Sequence, residues 1–222
     1  MLYPEFLAEI KSFADENYRE FHKKLLKNDN INVIGVRVPD LRKLAKKHGG
    51  DFNEILYFPD EYYEVTFIKL TIASRLPFAE FVKVVDKLVP LIDNWATCDC
   101  FTPDCIKAHR DEFLPFIRKY LAVDDEFFQR FALTTLLHYY VEEKYLELIF
   151  SFLGSCDTRY YYVHMAAAWL LAEVLVKYYD HGKSFLMEHS LDKKTHNKAI
   201  QKACESFRLS NDRKNYIKGI KR

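Results

Sequence analysis

A tryptophan and an aspartate stand four residues apart within residues 92–103 of this chain. Trp95 is one of two tryptophans, and a spacing of four places it one turn from Asp99 on one face of a helix. An aromatic face beside a carboxylate suits a cationic, planar guest, because the ring quadrupole and the carboxylate both attract positive charge. The same spacing also fits a core tryptophan beside an aspartate that hydrogen-bonds to a nearby turn.

Two further side chains stand out by their surroundings in the sequence. Trp169 follows three alanines, which would let neighbouring backbone approach the indole closely. Arg130 is a lone cation in the apolar segment 127–132, so it is either paired internally or directed into a groove. Each of the two is also compatible with an ordinary place in the core.

Thiols cluster near the same tryptophan. Cys98, Cys100, Cys105 and His109 form a C-x-C-x4-C-x3-H pattern, which matches no common spacing of structural zinc ligands. The sequence also contains no glycine-rich phosphate loop, no dinucleotide-binding fingerprint and no Gly-x-Ser-x-Gly elbow. We therefore expect no metal and no cofactor.

Charge is segregated along a chain whose net charge is only +1. Residues 193–222 hold ten basic and two acidic side chains, a net charge of +8, and residues 37–47 form a second basic island of +4. Such segregation can create a polyanion-binding face on a nearly neutral protein. A basic tail can equally be a solvated helix.

The sequence argues against a membrane-spanning protein and against a secreted one. No apolar run approaches the roughly 20 residues of a membrane span, and the start of the chain lacks the layout of a secretory signal. Five cysteines, an odd number, favour reduced thiols. We expect a cytoplasmic protein without membrane contact.

Hydrophobic periodicity predicts an all-α fold in one domain, residues 1–222. Helices in pairs of roughly 35 to 40 residues are typical of a HEAT-like solenoid, an α-α superhelix, with a compact helical bundle as the alternative. The predicted helices span residues 4–15, 18–27, 39 to about 49, 51–57, 60–76, 78–93, 95–101, 103–109, 111–121, 125–140, 141–153, 158–178, 181–189, 193–207 and 212–220.

Five segments stand out together: Gly35-Val36-Arg37-Val38-Pro39-Asp40-Leu41-Arg42-Lys43-Leu44, Trp95 with Asp99, Arg130, residues 161–169 and Ala199-Ile200-Gln201-Lys202. In this order and spacing they resemble the AlkD-like DNA alkylation repair family over nearly the whole chain. Members of that family are HEAT-like solenoids that curve around duplex DNA, and active ones release cationic N3- or N7-alkylated purines.

The resemblance implies roles for particular residues. Asp99, Trp95 and Trp169 match the catalytic cluster, with Asp99 as the essential carboxylate, and no metal is required. The implied partner is duplex DNA with alkylated bases, bound by a monomer that associates with the nucleoid. The residues expected to contact DNA are Arg37, Arg42, Lys43, Lys46, Arg130, Lys198 and Lys202.

Two other functions remain compatible with the sequence. The same solenoid could bind DNA without releasing a base, or it could be a scaffold for a protein partner. The sequence has Leu26 where active relatives can carry an aromatic residue. The bulky aromatic residues Phe101, Phe128, Tyr161 and Tyr162 are candidates to fill a cleft.

Overall fold

A computed structural model describes residues 1–26, 28, 30–188 and 191–222, and over these residues the regular structure is entirely helical. Short 3-10 turns occupy Gly49–Asp51, Val89–Leu91, Asp104–Lys107 and Glu143–Tyr145. The α-helices of the described residues are α1 Tyr3–Lys11, α2 Glu16–Leu26, α3 Val38–Lys47, α4 Phe52–Ile55, α5 Tyr63–Ala73, α6 Phe78–Leu88, α7 Trp95–Cys100, α8 Arg110–Leu121, α9 Glu126–Tyr139, α10 Leu146–Ser155, α11 Tyr161–Lys177, α12 Tyr179–Glu188, α13 Lys193–Glu205 and α14 Asn211–Gly219.

Most predicted helices are present, but several are shorter than predicted. The first ends at Lys11 rather than Asp15, because the Asp15 carboxylate instead accepts a hydrogen bond from the backbone N–H of Tyr18 in α2. The helix predicted over 78–93 ends at Leu88, where Pro90 lies in a 3-10 turn. The segment predicted as a helix over 103–109 is only a 3-10 turn. The predicted ends at Lys27 and His189 lie outside the described residues.

Polar side chains set the starts of several helices. Asn94, Asp125, Asp192 and Ser210 each accept a hydrogen bond from a backbone N–H in the first turn of α7, α9, α13 and α14, respectively. Asp51 precedes α4 as predicted, but its carboxylate makes no capping hydrogen bond. The caps at Asn94 and Asp192 matter for function, since α7 and α13 carry candidate site residues.

The chain forms two compact units, Met1–His109 and Arg110–Arg222. In the first unit α5 is buried on nearly every side and packs against α3, α4, α6 and α7. In the second unit α11 packs against α9, α10, α12 and α13. A helix that is apolar all round belongs in the interior, which explains why α5 and α11 are central to their units.

Each unit repeats one packing rule, in which a helix contacts the next helix but one along the chain. The series are α3–α5–α7 in the first unit and α9–α11–α13 in the second. This pattern confirms the predicted all-α, helical-repeat fold class. That residues 1–222 act as a single domain stays a prediction. No helix among the described residues is long and apolar enough to cross a membrane.

Candidate functional site

Helix α7 holds Trp95 and Asp99 one turn apart, as their spacing predicts, and both side chains are half-buried. The side-chain oxygen of Asn94 caps the helix by accepting from the backbone N–H of Thr97 at 2.9 Å. The indole Nε1 of Trp95 donates to the carbonyl oxygen of Leu25 at 3.1 Å. The end of α2 therefore fixes the orientation of the Trp95 ring.

Arg42 lies beside Cys100, the residue that follows Asp99. Burial raises the pKa of the Cys100 thiol, whereas Arg42, which hydrogen-bonds it, acts in the opposite direction. A cation predicted to contact DNA therefore lies in the same neighbourhood as the carboxylate predicted to be catalytic. The sequence gives no sign of this contact, because α3 and α7 are far apart along the chain.

Arg37 is exposed and is held in one orientation by Asp15, which precedes α2, and by Tyr18 of α2. Its Nη2 lies 2.8 Å from Oδ2 of Asp15, and its guanidinium lies over the ring of Tyr18 at 4.7 Å from the centroid. Hydrogen bonds, first from the backbone N–H of Tyr18 and then from Arg37, lower the pKa of Asp15. The arginine thus presents an ordered, solvent-facing positive charge.

The other basic residues predicted on α3 lie on its exposed surface. Lys43 forms a surface ion pair with Asp40 at 2.8 Å, and Lys46 is exposed. An exposed ion pair of this kind contributes little to stability, so Lys43 can exchange its partner at small cost. Both lysines are therefore accessible to a polyanion.

Glu64 is a functional candidate that was not predicted from the sequence. Its side chain is 0% exposed, and its carboxylate accepts hydrogen bonds from the backbone N–H groups of Ile34, Gly35 and Val36 at 3.0, 2.8 and 3.2 Å. These groups belong to the turn that leads directly into Arg37. The sequence did indicate this candidate, because an acid within an apolar helix such as α5 is buried and needs hydrogen-bond partners.

Trp169 is the half-exposed aromatic residue of α11, with 36% of its surface accessible. The Nζ atom of Lys202 on α13 lies 6.0 Å from the centroid of the indole, and the ring of His138 meets it edge-on at 6.3 Å. A neighbouring cavity of about 260 Å³ is bordered by Glu173 and Arg208, which form a bidentate ion pair. The structure therefore brings the predicted residues Trp169 and Lys202 together.

Arg130 is buried, with only 6% of its surface exposed. Its Nη1 donates to the carbonyl oxygen of Tyr162 at 2.8 Å, and its guanidinium lies 5.5 Å from the centroid of the Tyr162 ring. Of the two alternatives drawn from the sequence, these contacts favour internal pairing at the start of α11. A phosphate contact by Arg130 stays a prediction.

Lys198 lines a basic cavity of about 500 Å³ in the second unit. Its Nζ donates to Oε1 of Gln201 at 3.0 Å. The same cavity is lined by Lys194, Lys221 and Tyr161, for which the sequence predicted no binding role. The only feature of the sequence that indicated this basic cavity was the excess of basic side chains in residues 193–222.

The cysteine-rich segment shows thiols rather than disulfides. Cys98 is buried in α7, and His109 stacks on Phe78 with ring centroids 4.2 Å apart. Within residues 1–26, 28, 30–188 and 191–222, no group of three or more His, Cys, Asp or Glu side chains is arranged as metal ligands. Of the bulky aromatic residues, Phe101 is buried and Tyr161 is exposed.

A sequence model for DNA alkylation repair enzymes matches residues 6–207 of the chain. The protein belongs to the DNA alkylation repair enzyme family. The matched segment runs through both compact units and includes every residue predicted to act in catalysis or DNA binding. No curated protein matches the chain.

Membership in the DNA alkylation repair enzyme family supports a role in DNA repair. In the first unit, Arg42 contacts Cys100 of α7, the residue that follows Asp99. In the second unit, Trp169 and Lys202 meet between α11 and α13. The indole–cation contact is thus found at Trp169, whereas in the first unit the cation contacts Cys100, next to Asp99.

Proposed function

We propose that the protein is a monofunctional DNA glycosylase that hydrolyses the N-glycosidic bond of cationic N3- or N7-alkylated purines in duplex DNA. The observation that carries this proposal is the arrangement of Trp95 and Asp99 one turn apart on α7, with both side chains partly accessible. Membership in the DNA alkylation repair enzyme family supports a role in DNA repair and is consistent with alkylated DNA as the substrate. The Trp95 ring and the Asp99 carboxylate can both stabilise the positive charge of such a substrate.

Alkylation makes the purine cationic and therefore a good leaving group. The C1′–N bond breaks, its electron pair stays on the purine, and the deoxyribose becomes oxocarbenium-like. A carboxylate near C1′ stabilises that positive charge and orients the water whose oxygen bonds to C1′, as carboxylates do in glycoside hydrolysis. Asp99 takes this role, and the water proton leaves to the carboxylate or to solvent.

The two indoles stabilise the same positive charge through their aromatic rings rather than through a carboxylate. The ring faces of Trp95 and Trp169 attract positive charge, which lies on the alkylated base before the bond breaks and develops at the sugar as it breaks. The hydrogen bond from Trp95 Nε1 to Leu25 keeps its ring in place, so no rotation is needed when substrate binds. In this proposal Arg42, which contacts Cys100, holds a backbone phosphate close to Asp99.

The other predicted cations position the duplex. Arg37, Lys43 and Lys46 form an exposed basic surface on and before α3, and Lys198 and Lys202 extend along α13. Contacts of this kind bind the phosphates of any sequence and weaken steeply as salt concentration rises. Selectivity then comes from the charge of the lesion rather than from readout of base edges.

The decisive experiment measures free purine released from methylated duplex DNA by the wild type, Asp99→Asn and Trp95→Phe. We expect the wild type to release the base. The rate of release should be at least about 100-fold lower in Asp99→Asn, because asparagine keeps the shape of the side chain but not its charge. Trp95→Phe keeps an aromatic face but loses the hydrogen bond to Leu25, so it should reduce the rate less. Asp104→Asn, at an exposed aspartate of the same unit, is the matched control.

DNA binding must be measured in parallel to interpret this result. If every variant binds duplex DNA and none releases a base, the glycosylase proposal is wrong. The chain would then be a DNA-binding member of its family that does not cleave, a function favoured by the Trp169–Lys202 pair and the basic cavity of the second unit. A binding curve unaffected by salt would exclude both functions and favour a protein scaffold.

A further inference from the structure

The basic cavity between α11 and α13 has the size of a small-molecule site. Its volume is about 500 Å³, within the range of roughly 300 to 1,000 Å³ typical of ligand pockets. It lies wholly within the second unit and is lined by one exposed aromatic ring and several basic side chains. We refer to it as the α11–α13 pocket.

The pocket has an excess of positive charge. Lys194, Lys198, Lys221 and Arg159 line it, and no carboxylate is among the described lining residues. Asp157 pairs with Arg159, which leaves the three lysines without an acidic partner in the part of the chain that the structure describes. Three ammonium groups around one concave space bind an anion such as a phosphate.

Asp192 is an acid at the start of α13, two residues before Lys194. Asp192 caps α13, where its Oδ1 accepts from the backbone N–H groups of Lys194 and Thr195 at 2.9 and 3.0 Å. His164 also lines the pocket, and its Nδ1 lies 2.9 Å from the Thr195 hydroxyl. Asp192 therefore bonds to the backbone of α13, and among the described residues it forms no ion pair with a lysine of the pocket.

Hydrogen bonds between each of its neighbours and α13 hold Lys221 in the lining of the pocket. Its neighbour Ile220 has its carbonyl oxygen 2.9 Å from Nε2 of His196, a histidine that is 1% exposed. On the other side, the Arg222 backbone N–H donates to the Asn197 side chain at 3.0 Å. A lysine fixed by both flanking residues is part of an organised site rather than a mobile tail.

Tyr161 gives the pocket an aromatic surface. Its side chain is 56% exposed, and the neighbouring rings of Tyr162 and His164 meet it at interplanar angles of 76° and 65°. Neither neighbour stacks parallel to the ring, so a planar base can do so. An aromatic platform beside a cationic groove is the arrangement that binds unpaired nucleotides.

We propose that the α11–α13 pocket binds an unpaired nucleotide of a DNA strand. Lys194, Lys198 and Lys221 hold its phosphate, and its base stacks on Tyr161. A base within an intact duplex cannot use this ring, because its faces are already covered by neighbouring bases. The inference rests on the proposed function only in taking DNA as the ligand, and it concerns a step of binding rather than base release.

Fluorescence anisotropy with two unmodified DNAs of equal length tests the proposal. One is a fully paired duplex, and the other carries a single-nucleotide bulge. We expect the wild type to bind the bulged DNA roughly tenfold more tightly, as base–aromatic stacking would give. Tyr161→Ala should lose this preference and Tyr161→Phe should keep it. Tyr57→Ala, at an exposed tyrosine of the first unit, is the control and should keep it too.

Salt dependence separates the contribution of the lysines from that of the ring. Lys221→Gln should lower the slope of log affinity against log salt by roughly one for the bulged DNA, while the bulge preference persists. Equal affinity of the wild type for both DNAs, or a preference that survives Tyr161→Ala, would overturn the proposal. Comparable binding of a phosphoserine peptide would overturn the assignment to a nucleotide.

The two proposals fail in different ways. Base release that is lost in Asp99→Asn but accompanied by no bulge preference would leave the glycosylase intact and refute the nucleotide pocket. A bulge preference that depends on Tyr161, without base release, would support the pocket and refute the glycosylase. Failure to bind either DNA would refute both.

Discussion

The buried carboxylate of Glu64 accepts a 2.8 Å hydrogen bond from the backbone N–H of Gly35, twenty-nine residues earlier in the chain. Burial raises the pKa of Glu64, and the backbone N–H groups of Ile34, Gly35 and Val36 act against that rise. The carboxylate thereby satisfies three amides of a turn that has no regular secondary structure. That turn ends at Arg37, so Glu64 is a positioning residue for a predicted DNA contact.

Replacing Glu64 by glutamine should loosen this turn. The substituted amide has only one acceptor oxygen, and its NH₂ group would face backbone donors, which leaves buried N–H groups without partners. We expect the free energy of unfolding to fall by about 2 kcal/mol, measured by urea denaturation. Glu54→Gln, at an exposed glutamate of the same unit, should leave the free energy of unfolding nearly unchanged. Equal stability of the two variants would contradict the role given to Glu64.

The same turn requires glycine at position 35. Gly35 has φ +98°, and a Cβ there would lie 2.6 Å from the carbonyl oxygen of Asp15 and 2.7 Å from Cβ of Arg19. Gly35→Ala should therefore lower the free energy of unfolding by about 2 kcal/mol or more, through strain and displacement of the turn. Thermal unfolding followed by circular dichroism would measure this change.

Gly154→Ala is the matched control for that substitution. Gly154 lies in α10, and a Cβ added there would have no neighbouring atom within 4 Å, so alanine meets no obstruction. Alanine is also the better helix former by up to about 1 kcal/mol, so stability should be unchanged or increased. A loss of stability at position 154 as large as that at position 35 would mean that steric conflict is not the cause.

The sequence was sufficient to predict the helical fold and the Trp95–Asp99 pair, because both depend on local spacing. Periodicity located the helices, and the four-residue interval placed both side chains on one face of α7. Helix ends were less accurate. The sequence predicted that α1 continues through Ser12 and Phe13 to Asp15. Asp15 instead accepts a hydrogen bond from the first turn of the next helix.

Contacts between distant segments could not be predicted in the same way. Nothing in the local sequence indicates that Arg42 lies beside Cys100. Nor does it indicate that Lys221 is held in a pocket by hydrogen bonds between its neighbours and α13. Such contacts follow from how helices pack, which depends on the shapes of many side chains at once. Arg130 illustrates the limit, since its sequence context was equally consistent with a groove and with the interior.

Arg37 provides a direct test of phosphate binding by the first unit. Arg37→Gln removes one ordered, exposed positive charge while the turn retains its hydrogen bonds to Glu64. Affinity for duplex DNA should fall for all sequences alike, and the slope of log affinity against log salt should decrease by about one. Arg75→Gln, at an exposed arginine without a predicted role, is the comparison. An unchanged slope in Arg37→Gln would remove Arg37 from the DNA-binding surface.

His22 should make stability depend on pH. It is buried against Tyr63 with ring centroids 4.7 Å apart, and burial lowers its pKa. A base whose folded-state pKa lies below its unfolded value takes up its proton mainly on unfolding. Its contribution to the free energy of unfolding is therefore fully present above a pH of about 6.5 and is lost as the pH falls through the folded-state pKa.

The variant His22→Phe keeps an aromatic ring against Tyr63 but cannot be protonated. Urea denaturation between about pH 7.5 and pH 5 should therefore show a smaller loss of stability on acidification than in the wild type. His164 and His196, whose pKa values are also lowered by burial, should preserve part of the dependence. His181→Phe, at an exposed position, should retain the full wild-type dependence. If His22→Phe and the wild type lose stability in parallel, the ionisation of His22 is not coupled to folding.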